Sequence, residues 1–156
     1  MAARFAARLS RAANLTREDW RYIGIAVKEL ALARLRHATT PIDVIFRDLR
    51  QRPSETVTGE CPGLGPADLR RLSWAIAAAA ARVPWRSDCV LQAMAAQRWM
   101  RRRHCGGDFF VGVRKDPQGA LLSHAWLRRG DLPITGGADP EFKVLLAPLG
   151  TELSVT

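Results

Sequence analysis

The sequence predicts an α+β domain, and three observations carry that reading. Apolar residues recur at helical spacing through the first hundred positions. After Gly106-Gly107 the period changes from 3.6 to 2. The strand-like segments are then joined by turn chemistry, Asp116-Pro117-Gln118-Gly119 and Gly130-Asp131. Helices first and a small antiparallel sheet afterwards define α+β, because a parallel sheet would need helices between the strands. At 156 residues the chain fits one domain. It divides into an N-terminal helical part over 1–50, a connection over 51–66 and a core over 67–156.

The elements follow in order. Thr16 is placed to cap a helix, with Asp19 in its first turn. Trp20, Ile23, Val27, Leu30, Ala31 and Leu35 then give a stripe that runs to about His37. Pro41 opens a short helix with Ile42, Ile45, Phe46 and Leu49 on one face. Arg50 to Pro66 is polar and rich in Gly and Pro, a connecting segment. Asp68 is placed to cap the next helix, which carries Leu72, Ile76 and the alanine run, and Pro84 stops it. Cys89 begins a strong helix with Val90, Leu91, Met94, Ala95, Trp99 and Met100, ended by Gly106-Gly107. Strands follow at Phe109 to Val113, Leu121 to Arg128, Leu132 to Thr135 and Lys143 to Leu146.

Composition narrows the class. The net charge of +9 comes from 24 basic and 15 acidic residues, and only Lys28, Lys115 and Lys143 of the basic set are not arginine. Such a surface attracts acidic partners, but solvated helix faces explain it as simply. No zinc-finger spacing and no aromatic RNA-binding signature supports nucleic acid. No stretch of 18 apolar residues predicts a membrane span. Met1 to Ala13, rich in Ala and Arg, resembles a transit peptide in composition and is read as an amphipathic helix of the domain. Cys61, Cys89 and Cys105 make an odd count with no close pair, which argues against a disulfide scaffold and for a reducing, cytoplasmic setting. His37, His104 and His124 combine with these cysteines at no metal spacing, so neither metal nor cofactor is expected.

Cys89 carries the chemistry. A cysteine in the first turn of a helix meets unpaired N–H groups and the positive end of the dipole, and both stabilise thiolate. The same N–H groups can face a developing oxyanion. Alone this is weak, since such a cysteine is often a small apolar filler. His124, 35 residues later on a predicted strand, strengthens it. A sheet packed on the Cys89 helix would bring an imidazole to the thiol, as cysteine-based acyl transfer needs.

Residues Val83-Pro84-Trp85-Arg86-Ser87-Asp88-Cys89, the helix end Gln97 to Arg103, Val111-Gly112-Val113-Arg114-Lys115 and His124-Ala125-Trp126 together resemble the leader peptidases of lasso-peptide biosynthesis (the B2 proteins). These belong to the transglutaminase-like, papain-related superfamily. The resemblance implies a cysteine peptidase that removes the leader from a ribosomally made precursor peptide. It also implies a small leader-recognition protein as partner and a separate ATP-dependent macrocyclase acting on the freed core. Cys89 would be the nucleophile and His124 its base. The family places an acidic residue about a dozen positions after the histidine. Here Ile134-Thr135-Gly136-Gly137-Ala138-Asp139 stands in that region, which makes Asp139 the favoured orienting group. Asp131, Thr135 and a backbone carbonyl are the alternatives.

The remaining candidates have plainer readings. Cys61 is read as an incidental thiol, Cys105 and His104 as side chains that diverge, and His37 and His104 as solvated helix-end residues. Trp126 is placed in the core or along a peptide groove. Arg101 to Arg103 either complement the helix dipole or meet acidic residues of a partner. Two other functions fit the same residues: a transglutaminase-like acyltransferase, and a non-catalytic basic helical adaptor.

Overall fold

A computed structural model describes residues 15–51, 61–137 and 141–151. The expected helix at Met1 to Ala13 therefore lies outside the described residues. Helix α1 spans Arg17–Thr39, two residues beyond the expected end. It starts where the capping box predicts: the Asp19 N–H donates to Thr16 Oγ1 at 3.2 Å, and the Thr16 N–H donates to Asp19 Oδ2 at 2.9 Å. Its buried face meets the expected stripe at Leu30 and otherwise departs from it. Ala26, Glu29, Leu30 and Ala33 are buried, whereas Trp20, Val27 and Leu35 are exposed. Small alanines allow closer helix approach than the larger apolar residues, and the Glu29 carboxylate is drawn inward by arginines of a later helix.

Helix α2 spans Ile42–Arg50 and buries Ile45 and Leu49, while Ile42 remains exposed. Helix α3 spans Pro66–Ala80. Asp68 is not its cap, as expected from sequence, but its third residue; Gly65 is the cap, and Asp68 Oδ2 accepts the Gly65 N–H at 3.0 Å. The same carboxylate accepts the Tyr22 hydroxyl at 3.0 Å, which ties α3 to α1. Burial first, then this hydrogen bond to a carboxylate, pushes the Tyr22 phenol above its usual value.

Helix α4 spans Cys89–Arg101 and is buried on nearly every side from Leu91 to Met100. Arg98 and Arg102 reach Glu29, so the side of α4 that carries them faces α1. At 100° per residue, Cys89, Ala93, Ala96 and Met100 occupy the opposite side, toward the sheet.

The sheet has the order β3-β2-β1-β4, with β1 Asp108–Lys115, β2 Leu121–Arg129, β3 Leu132–Thr135 and β4 Lys143–Leu146, and every pairing is antiparallel. The four predicted strands are all present, and the architecture is the expected α+β one. Phe109, Ala125, Leu127 and Ile134 join the helices in one core, so helices cover a single face. Gln97 anchors the crossing from α4 to β1. Its amide donates to the Gly107 carbonyl at 3.0 Å and accepts the Gly107 N–H at 2.8 Å, both fully buried. Gln97→Ala leaves both backbone groups without partners and should cost about 3 kcal/mol of stability, read as a lower urea midpoint at unchanged m-value.

Two cysteine expectations are corrected here. Cys61 and Cys105 form a disulfide across 44 residues, with Cα atoms 4.8 Å apart. Cys61 is thus no incidental thiol, and the odd count loses its force as an argument for a reducing compartment. The helix is also not ended by Gly106-Gly107. His104 takes the left-handed conformation, φ 53°, and turns fully buried Cys105 back so that its N–H meets the Met100 carbonyl at 3.1 Å. Gly63 lies flat against the Arg103 carbonyl, where a Cβ would collide, and this close approach brings the two sulfurs together. Among the described residues no helix is long and apolar enough to cross a membrane.

Candidate active site

Cys89 is the free cysteine, half-buried, and the first residue of α4. Asp88 caps the helix: its side chain accepts the Leu91 N–H at 3.0 Å and its carbonyl accepts the Gln92 N–H at 3.0 Å. Of the first-turn donors, the Cys89 and Val90 N–H groups are left without a hydrogen-bond partner among the described residues. They sit beside the sulfur, where an oxyanion would form after attack by the thiolate. The Gln92 amide braces the approach by donating to the Ser87 carbonyl at 3.0 Å. Two further polar atoms of this approach, Trp85 Nε1 and Ser87 Oγ, are buried with no protein partner. Sequence reasoning used both only within the resemblance and gave neither a role of its own.

His124 stands in β2 directly opposite Gly112 of β1. Its Nε2 is 2.7 Å from the Gly136 carbonyl. A carbonyl only accepts, so Nε2 donates a proton in this contact and Nδ1 is the ring nitrogen left for a base. Gly136 is fitted to this role: its φ is +80°, and a Cβ there would come within 2.7 Å of the Ala125 carbonyl and 2.9 Å of Nε2. The histidine ring stacks on Trp126 (5.9 Å, 18°) and tilts against Phe142 (5.3 Å), and Trp126 in turn stacks on Phe110 (5.6 Å, 14°).

The other candidate orienting groups lie elsewhere. Asp139 falls outside the described residues. Asp131 is fully exposed and 3.6 Å from Arg128. Thr135 is buried in β3, paired with Leu127, and its Oγ1 has no partner. The group on His124 Nε2 is a backbone carbonyl.

Chain lengths put the two principal residues at one end of the layers. The 13 residues of α4 span roughly 20 Å, which matches about six residues of strand. The connection over 102–107 turns the chain back into β1, so on these lengths alone Cys89 would fall toward the Val113 end of β1, whose β2 partner is Ser123. The faces differ, however. Alternation in β2 turns buried Ala125 and Leu127 toward the helices, and half-buried His124 and Trp126 toward the other face. Among the described residues no hydrogen bond joins Cys89 to His124.

Arg101, at the end of α4, is engaged within the chain. Arg101 donates to Asp48 Oδ1 at 2.9 Å, to the Asp48 carbonyl at 2.6 Å and to the Gln51 carbonyl at 3.0 Å. Burial pushes the Asp48 carboxyl upward, but hydrogen bonds and charge from Arg36 and Arg101 outweigh it and hold the group below the usual carboxylate range.

The chain thus has a helical layer on one face of an antiparallel sheet, with a free cysteine at the start of α4. A profile described as the Transglutaminase-like superfamily matches residues 2–147, and the chain belongs to that superfamily. Cysteine peptidases and acyltransferases are among its members. No curated protein and no solved structure matches the chain.

Proposed function

We propose that the chain is a cysteine peptidase that removes the leader from a ribosomally made, lasso-type precursor, acting with a small leader-binding partner. One observation carries the chemistry: the free thiol of Cys89 opens the central helix beside two unclaimed N–H donors. The resemblance over Val83 to Trp126 supports the substrate class, and membership of the superfamily is compatible with it.

The reaction runs in two halves. His124 Nδ1 accepts the Cys89 proton, and the sulfur attacks the scissile carbonyl. The oxyanion is met by the Cys89 and Val90 N–H groups. Collapse breaks the C–N bond, the amine leaves with the proton from His124, and the acyl group stays on sulfur. Water, deprotonated by His124, then cleaves the thioester and restores the thiol. This sequence requires the imidazole to reach the helix side of β2.

Alkylation by iodoacetamide tests the dyad, because with Cys61 and Cys105 joined the label reports Cys89. With precursor peptide and partner present, His124→Ala should slow labelling at least about tenfold. Labelling indifferent to His124 under both conditions, alone and in the complex, would discard the dyad and leave the non-catalytic adaptor.

A further inference from the structure

Helices α1, α2 and α4 enclose a cleft of about 410 Å³ that the proposed chemistry does not use. Four guanidinium groups line it, those of Arg36, Arg98, Arg101 and Arg102, over an apolar floor that includes Leu32 and Met94. Two carboxylates answer them. Asp48 is saturated, with Arg36 at 2.8 Å and Arg101 at 2.9 Å. Glu29, 2% exposed, takes the other pair unequally: Arg98 Nε is 2.8 Å from Oε2, an ion-pair contact without hydrogen-bond alignment, and Arg102 is 3.9 Å from Oε1. The cleft therefore holds an excess of two positive charges. The outer edges of Arg98 and Arg102, whose side chains are 43% and 52% exposed, carry it.

We infer that this cleft binds an acidic peptide segment, with a carboxylate across Arg98 and Arg102 and a neighbouring apolar side chain on Leu32 and Met94. A guanidinium presents paired N–H groups in the plane that a carboxylate accepts. The volume is far larger than a single small anion needs, and the apolar floor asks for an occupant with both characters. A concave site of four cations is not the extended basic track that a nucleic acid backbone requires. Arg36 and Arg101 hold Asp48 and shape the wall, which leaves Arg98 and Arg102 to the ligand. The inference stands on the cleft alone. Should the peptidase reading also hold, Arg98 and Arg102 lie about 14 to 20 Å along α4 from Cys89 and on the opposite side of the helix, so the acidic residue would sit at least about six extended residues from the scissile bond.

The probe is a fluorescein-labelled peptide of alternating Glu and Leu, compared by anisotropy with its Gln counterpart on the full chain. The Glu peptide should bind at least about tenfold more tightly. Arg102→Gln keeps the Arg98–Glu29 contact and should lower the Glu-peptide affinity about tenfold, whereas Arg70→Gln, an equal charge change on exposed α3, should alter it less than about twofold. Equal losses in the two variants, or equal binding of the two peptides, overturns the proposal. A readout on the unmodified protein guards against a folding defect. Bound Glu peptide should shield Arg98 and Arg102 from phenylglyoxal, and unprotected arginines would count against the site. Because binding is read without turnover, failure here and failure of the peptidase reading are separable.

Discussion

Cys89→Ala should abolish leader cleavage, by at least about 10⁴-fold in rate, while leaving the folded chain nearly as stable as before. Removing the nucleophile of an acyl-transfer enzyme leaves only the contribution of binding and the oxyanion donors, a small remnant of the full acceleration. The structural cost is small, because Cys89 is half-buried at the edge of the core and alanine is accepted at a first helical position. The cap remains, since Asp88 and its bond to Leu91 do not involve the sulfur. Chromatography of a precursor peptide incubated with the chain and its partner reads the result, and urea unfolding of both proteins reads the control. Cleavage that survives the substitution would remove Cys89 from the chemistry, and with it the case for a peptidase.

The largest expected loss of stability belongs to the disulfide. Opening it with Cys61→Ser and Cys105→Ala together should cost about 4 kcal/mol, the chain-entropy value for a loop of this length. The sequence separation of 44 residues sets that number, and burial of Cys105 adds to it. A reductant should produce the same drop in the unmodified protein. An unfolding curve that neither change moves would mean that the two sulfurs are not joined in solution.

Much of the architecture was legible, because it is written in short-range patterns. Thr16 with Asp19, the 3.6-residue repeat in α4, and the alternation in β1 and β2 each describe a local backbone state. The end of α4 was not legible. A non-glycine residue, His104, adopts the left-handed conformation there while two glycines stand just beyond it. The face of α1 was read only in part for a different reason: periodicity reports which residues are apolar, not how closely a neighbour approaches. The Cys61–Cys105 bond joins two loops that have no sequence relation at all. At the candidate site, Cys89 announced itself by its place before an apolar repeat. The partner of His124 did not, because the accepting atom is a main-chain oxygen at Gly136 and carries no side-chain signature.

The disulfide has a topological consequence for the segment that bears Cys89. Residues 61 to 105 form a closed covalent ring, and α3, α4 and the approach to the thiol all lie inside it. A single break in the main chain between the two cysteines opens the ring without dividing the molecule. The halves stay linked through sulfur, and a nicked chain keeps its mass until it meets a reductant.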